Sequence, residues 1–556
     1  MSELSDLLRS LLSKRGIETD SDITAFLAPD YDAHTHDPFL LNDMDAAVAR
    51  VLAAVGAAER IVVYSDFDCD GIPAGALLSD FFNKIGYTNF EVYIPHRDRE
   101  GYGFHKEAVD ALAKKGAQLI ITADLGITAV ETVAHARELG IDVIVTDHHE
   151  IMGALPAAVA VVNPKLNNYP FPDLCGTGVA FKLVQALIIE GKKRGIAEFV
   201  AIQEGWEKWL LDLVAIATVA DMVPLIGENR VLAYWGLKVL RKSPRPGINA
   251  LCTALRIKKA ELTEDDIGFS IAPRVNAASR MDDPDLAFRL LSTQDTEEAE
   301  MLAAKLEHLN AQRKGVVAGI VKQARAGVKA RFDESYKVVV LGNTEWKPSL
   351  LGLAANSVVE DRGGMVCLWG RDANGKLKGS CRSDGSVSIA DVFAQSQEIF
   401  EACGGHECSG GFTVSHDRVH TLSEDLAKIA ATLEAKDAKG NAEADAQLSL
   451  VEANWALYSD IDRLSPFGVG NPKPRFLCVG SLISGVKQFG KEMNHVELTL
   501  SHDRGTVRAF QFFKKAEDFT VCPEPGMRAH VLATLERDTF RGPAKLVLRV
   551  QDVFQD

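Results

Sequence analysis

The sequence contains no Cys-x-x-Cys pair, and its nine cysteines (69, 175, 252, 367, 381, 403, 408, 478 and 522) are odd in number and scattered. That excludes a zinc ribbon and a paired disulfide framework, and it suits a reducing cytoplasm. No run approaches eighteen apolar residues, and the opening MSELSDLLRS lacks the basic and apolar regions of an export signal, so a soluble, cytoplasmic protein is expected. Positive charge is scarce: 61 Lys and Arg stand against 77 Asp and Glu, a net charge of −16. Such a surface cannot bind nucleic acid over its whole extent. No phosphate loop ends in Gly-Lys-Ser/Thr. Gly176-Thr177-Gly178 begins like a dinucleotide fingerprint, but Phe181 stands at the third glycine position, so the segment reads as a helix start and no nucleotide cofactor is implied.

What is present is ordinary globular material. The 556 residues are 47% hydrophobic and 25% charged, enough for about three to five domains. Residues 1–45 read as a short helical segment. From 46 to 225, short continuous apolar runs (61–64, 90–94, 118–122, 142–146, 159–163) alternate with helical stretches (73–85, 105–115, 127–139, 176–190). Strands without polar alternation, joined by crossover helices, predict a doubly wound parallel α/β sheet. A helical connector is expected over 226–335, with a long charged helix at 294–327, and a second α/β domain over 336–440. Residues 433–447 form a polar joint, and 441–556 hold four or five short alternating strands, which predicts a small β-barrel of OB type.

Chemistry concentrates where apolar runs end. Strand 61–64 leads into Ser65-Asp66-Phe67-Asp68-Cys69-Asp70-Gly71. Strand 118–122 leads to Asp124, strand 142–146 to Asp147-His148-His149, and the apolar stretch 213–220 to Asp221, read as a fourth strand end. One aspartate at such a place is most simply a helix cap. Six aspartates and two histidines at four such places, all on the carboxyl edge of a parallel sheet, can converge on one crevice. Carboxylates mixed with imidazole favour Mn²⁺ or Mg²⁺, and there are enough of them for two ions sharing a bridging carboxylate.

These segments, SDFDCDG, ITADLGIT (121–128), DHHE (147–150) and TVADMVPL (218–225), resemble the four motifs of the DHH phosphoesterase family. PHRDREGYG (95–103), IAPRVNAASR (271–280), GSCRS (379–383), GGHECSGGF (404–412) and PFGVGNPKPRF (466–476) extend the resemblance to the RecJ branch of that family over nearly the whole chain. The resemblance implies a nuclease that degrades single-stranded DNA from its 5′ end in repair and recombination. A helicase and a single-strand-binding protein are its possible partners. It implies Asp68, Asp70, Asp124, His148 and Asp221 as ligands of two Mn²⁺ or Mg²⁺ ions, with Asp124 bridging, and Asp66, Asp147 and His149 supporting them or touching the scissile phosphate. A phosphate grip is expected from Arg280, Arg382, Ser380, Ser383, the Gly404-Gly405-His406 turn and Arg274, with Arg97 and Arg99 reaching the same strand. Two other readings belong to the same family: a phosphodiesterase for dinucleotides or short oligonucleotides, and a non-catalytic replication scaffold.

The sequence also departs from the RecJ pattern. Trp346-Lys347-Pro348-Ser349 replaces Trp-His-x-Gly, and Ser279 and Cys381 stand where Gly is usual. In the barrel, the stretch from Trp455 onward carries two more basic than acidic residues, against the trend of the chain. Its segment 506–515 interleaves Arg508, Lys514 and Lys515 with Phe510, Phe512 and Phe513, a mixture that stacks bases and neutralises phosphates. Taken singly, each of these rings is expected in the core.

Overall fold

The five apolar runs of the first sheet are β1 (Ile61–Ser65), β2 (Phe90–Tyr93), β3 (Leu119–Ala123), β4 (Asp142–Thr146) and β5 (Ala160–Val162). They pair in the order β2-β1-β3-β4-β5, every pair parallel. β1 and β3 are buried at every residue, as continuous apolar strands require. On one face Val62, Tyr64, Ile120, Val143 and Val145 pack on Val109, Leu112, Val133 and Ala136 of two crossover helices. Helices Gly71–Lys84 and Gly176–Lys193 also pack against this sheet. The computed structural model describes residues 4–167, 169–333, 335–433, 443–490, 493–539 and 543–555, so most of the polar joint expected over 433–447 lies outside the described residues.

The stretch 213–220 differs from its reading as a strand. It lies in the helix Leu211–Ala220, of which eight residues are buried, and Asp221 is that helix's C-cap. An apolar run buried all round carries no periodicity, so helix and strand look alike in sequence.

Further along, helices that include Ala272–Met281 and the 36-residue Thr296–Arg331 lead to a second sheet. Its strands are β6 (Val338–Gly342), β7 (Met365–Arg371), β8 (Leu377–Ser383), β9 (Ala402–Gly405) and β10 (Ser409–Val414), in the order β6-β7-β8-β10-β9. Only β6 and β7 run parallel. Gly404 and Gly405, expected in a turn, belong to β9. The turn itself follows at His406, whose amide donates to the Ser409 carbonyl at 2.7 Å.

The barrel comprises β11 (Ala446–Gln447), β12 (Arg475–Phe489), β13 (His495–His502), β14 (Gly505–Phe512), β15 (Arg528–Asp538) and β16 (Lys545–Gln555), in the order β11-β12-β13-β14-β16-β15 and closed by pairing of β12 with β15. By contacts the chain divides into two compact units. One is His36–Val223 with Trp235–Gly440; the other is Met1–Thr35 and Pro224–Tyr234 with Asn441–Asp556. The segments read as 1–45 and 226–335 are therefore each shared between the units. The reason is visible in the first helix, where Leu8, Leu11 and Leu12 are buried with Leu464, Phe476 and Val531 in the barrel unit's core. In that unit the 466–476 loop is fastened from within: Arg230 donates to the carbonyls of Leu464 and Ser465, and the Asn471 amide to those of Leu464 and Pro466. No helix among the described residues is long and apolar enough to cross a membrane.

Candidate active site

The loop after β1 brings three carboxylates into the crevice and gives each a different task. Asp68 Oδ1 accepts from the amides of Asp70 and Gly71 at 2.9 and 3.1 Å, so it caps the helix that follows. Asp70 caps a different helix: its two oxygens accept from Gly176 and Thr177 at 2.6 and 2.7 Å. Each carboxylate oxygen keeps a second lone pair after one such bond. Asp66 Oδ1 is buried and has no hydrogen-bond partner. The Gly176 segment is thus a helix start, and it also builds the site, for a Cβ there would lie 2.4 Å from Asp124 Oδ1. Gly71 is needed similarly, since its Cβ would meet the Asp66 carbonyl at 2.5 Å.

Asp124 follows β3 at φ 66°, and its Oδ1 is another buried atom without a partner, as is His148 Nε2. His148 Nε2 stands 3.2 Å from Asp124 Oδ1, 3.6 Å from Asp70 Oδ2 and 3.7 Å from Asp221 Oδ2. Ligands bound at right angles around one Mg²⁺-sized ion are about 3 Å apart, so this spacing is that of a coordination shell. The ligand atoms form three overlapping groups: Asp66, Asp68 and Asp124; Asp70, His148 and Asp221; and Asp124, His148 and His149. Asp124 and His148 each belong to two of them. Asp66, assigned a supporting part by resemblance, stands here among the ligand-type carboxylates.

The electrostatics follow from the crowding. Burial, and then the charges of neighbouring aspartates, push the carboxyls of Asp66 and Asp124 well above their ordinary range and that of Asp221 up to about 9. Burial pushes His148 down. Asp147 behaves differently, because it is fully hydrogen-bonded: it accepts from the amides of Ile127, His148 and His149 and lies 2.7 Å from His149 Nδ1. Although burial opposes it, this bond and the Asp147 charge raise His149 to about 9.

Beside the carboxylates stands a group of arginines. Arg97 lies near Asp66 and Asp68 with its guanidinium 4.7 Å over the Phe67 ring. Arg280 donates to the Ser349 carbonyl, and burial together with Arg97, Arg313 and Arg382 lowers it to about 9. Arg382 fits against Gly352, where a Cβ would come within 2.6 Å of its Nη2. Such crowding of like charge is what an anion relieves. Ser380 lies on β8 in the same sheet, partly buried, and His406 is close enough to Glu150 to help lower that carboxyl, after Lys165.

Two expected grip residues, Ser383 and Arg99, are not brought there, and Arg274, which lies near Arg313, is engaged with other partners. Arg274 pairs with Glu307 at 2.8 Å and donates to the Ser270 carbonyl, which fastens one helix to another. Ser383 Oγ is spent on the Val387 carbonyl at 2.6 Å. Arg99 is exposed, and no contact ties it to the arginine group among the described residues. The departures have visible partners: Lys347 is 2.8 Å from Asp98, Ser349 Oγ donates to the Arg280 carbonyl, Ser279 Oγ to that of Asn276, and Cys381 faces Cys367 across β7 and β8. Sequence reasoning missed Asn276, whose Oδ1 accepts from the Cys69 amide at 3.1 Å, and Arg313, whose buried Nε has no partner.

In the barrel unit, Val507 and Ala509 are the buried residues of β14, so Arg508, Phe510 and Phe512 point outward. The expectation of core rings is overturned for two of the three: Phe512 is 39% and Phe513 83% exposed, while Phe510 is half-buried. The alternation was legible, but the small Ala509 rather than a ring faces in. Phe510 and Phe512 lie parallel 6.4 Å apart, Phe489 and His495 flank them, and Arg508 and Arg549 sit over rings at 4.6 and 4.5 Å.

Residues 60–218 match the N-terminal domain of the DHH family, 333–435 the DHHA1 domain and 444–552 the RecJ OB domain. The single-stranded-DNA-specific exonuclease RecJ of Bacillus subtilis is 33% identical over 99% of this chain and 68% of its own length. That of Haemophilus influenzae is 32% identical over 92% of this chain and 91% of its own. The crystal structure of Thermus thermophilus RecJ in complex with Mn²⁺ has a similar fold, with a TM-score of 0.82 at 25% identity, over 100% of this chain and 76% of that one.

Proposed function

This chain belongs to the RecJ family of single-stranded-DNA-specific exonucleases, and on that premise we propose that it hydrolyses single-stranded DNA from the 5′ end, releasing mononucleotides, at the acidic cluster on the carboxyl edge of its first sheet. One observation carries the reading: Asp66 Oδ1, Asp124 Oδ1 and His148 Nε2 are buried ligand atoms with no hydrogen-bond partner. Buried polar atoms are almost always paired, and bound cations would pair all three.

Asp66, Asp68 and Asp124 on one side, and Asp70, His148 and Asp221 on the other, would hold two Mn²⁺ or Mg²⁺ ions, with Asp124 between them. Bound there, the ions supply an activated water and neutralise the charge that develops on the phosphoryl group. The chain's own side chains do the rest. Asp147 fixes the ring of His149, whose imidazole hydrogen-bonds the scissile phosphate. Arg97, Arg280 and Arg382 hold the terminal phosphate, with donors from Ser380, Gly404, Gly405 and His406. The loop 95–103 meets the start of the helix Pro348–Arg362 at the 2.8 Å Lys347–Asp98 pair, and a crevice so closed would admit one strand and exclude a duplex.

We assign hydrolysis to residues 46–225, end gripping to 336–440 and strand binding to 441–556. A dinucleotide hydrolase has no need of the last. A helicase would supply the strand and a single-strand-binding protein would present it, in the cytoplasm. The test is one oligonucleotide labelled at either end and digested with and without Mn²⁺. The expected result is early release of the 5′ label as a mononucleotide, only with metal, while the 3′ label stays on shortening strands. Early release of the 3′ label, or digestion indifferent to metal, would contradict the proposal.

A further inference from the structure

Next to the arginine group, and sharing Arg97 and Gly404 with it, lies a cavity of about 500 Å³. The rings of Phe67 and Tyr102 line it, together with the backbone of Gly379, Gly404 and Gly411 and the Lys378–Asp372 pair. Tyr102 is 52% exposed. Its ring stands edge-on to those of Phe67 and His149, with centroids 6.4 and 5.9 Å away, and its oxygen is 3.4 Å from His149 Nδ1. The two remaining glycine positions are informative because nothing local demands them. Gly379 is required, since a Cβ there would lie 2.1 Å from the Phe412 ring. Gly404 and Gly411 pair across β9 and β10, and neither has positive φ. A Cβ on Gly404 would meet nothing within 4 Å, and one on Gly411 only the Gly379 carbonyl at 3.8 Å. Neither strain nor packing accounts for them; a side chain at either position would take up open space.

From this we infer that the cavity receives the base of the 5′-terminal nucleotide, a deepening of the exonuclease reading on which it rests. One wall carries Phe67, between Asp66 and Asp68 of the acidic cluster. Another carries Ser349, whose carbonyl holds Arg280. A nucleotide with its 5′ phosphate on the arginines and its 3′ phosphate on the acidic cluster spans these two walls, and its base enters the space between them. The exposed Tyr102 ring accepts any base, because every base has a π face. That tolerance suits an enzyme that must remove each nucleotide in turn.

The experiment compares two 5′-phosphorylated oligonucleotides, identical except that the first residue either carries its base or is an abasic tetrahydrofuran. The base-bearing end is expected to be hydrolysed with a kcat/KM about tenfold higher, the scale of one stacked base. Gly411→Val fills the space with a residue that strands favour, so its melting temperature is held or raised while the ratio falls to near one. Tyr102→Ala lowers the ratio as well, and Tyr102→Phe restores it, because the ring rather than the hydroxyl is the platform. A ratio of one in the parent protein, or a full ratio in both Gly411→Val and Tyr102→Ala, would overturn the inference while leaving the exonuclease intact. Absence of hydrolysis at either end would overturn the exonuclease reading and the cavity's role with it.

Discussion

Asp124→Asn is expected to lower hydrolysis of single-stranded DNA by more than about a thousandfold, because it removes the carboxylate shared between the ligand groups, while the protein stays folded and still holds a long strand. Asparagine is the right replacement. Asp124 lies at φ 66°, where Asn is tolerated and Ala is strained. Its Oδ1 caps nothing, so no hydrogen bond is lost at that atom. Burial and the neighbouring aspartates raise its carboxyl well above the ordinary range. For an acid, a folded-state pKa above the unfolded one means that the charge at neutral pH costs stability. The metal-free variant should therefore melt at the same or a higher temperature than the parent. If Asp124 were only a helix cap, the variant would lose about 0.5–2 kcal/mol of stability and cleave normally. Calorimetry beside single-turnover rates separates the two outcomes.

The second large effect belongs to the barrel. Replacing Phe510 and Phe512 together by alanine is expected to weaken binding of a long single strand about a hundredfold, since each stacked base contributes about 1–3 kcal/mol. Hydrolysis of a very short oligonucleotide should be spared, because every proposed metal ligand lies before residue 222. The dependence of binding on salt should persist in that variant, whereas removing Arg549 should lower the slope of log K against log salt by about 0.7. Unchanged affinity in the double variant, with the barrel folded, would mean that the rings serve another partner.

The parts legible in the sequence were those carried by local pattern. Unbroken apolar runs marked the parallel strands, and aspartates just beyond them marked the crevice, because strand ends and chemistry coincide in that fold. Asp221 was found for a reason that the structure corrects: it ends a buried helix rather than a strand. Asn276, Arg313 and Tyr102 were not legible, because their importance comes from contacts with Cys69, Arg280 and His149, distant in sequence or invisible to periodicity. Two of the barrel rings were misjudged for a similar reason. Alternation separates two faces of a strand but does not say which is inside, and on β14 the choice fell to Val507 and Ala509. Arg274 shows the converse, a residue in a motif-bearing segment that the fold uses as a fastener.

The account stands or falls on whether the acidic cluster is a two-ion centre. Crystals soaked in Mn²⁺ and measured for anomalous scattering test this directly. Two peaks are expected, one among Asp66, Asp68 and Asp124 and one among Asp70, His148 and Asp221, with an Asp124 oxygen touching both. Full soaking with no peak among these residues, or manganese found only at exposed surface carboxylates, would contradict it.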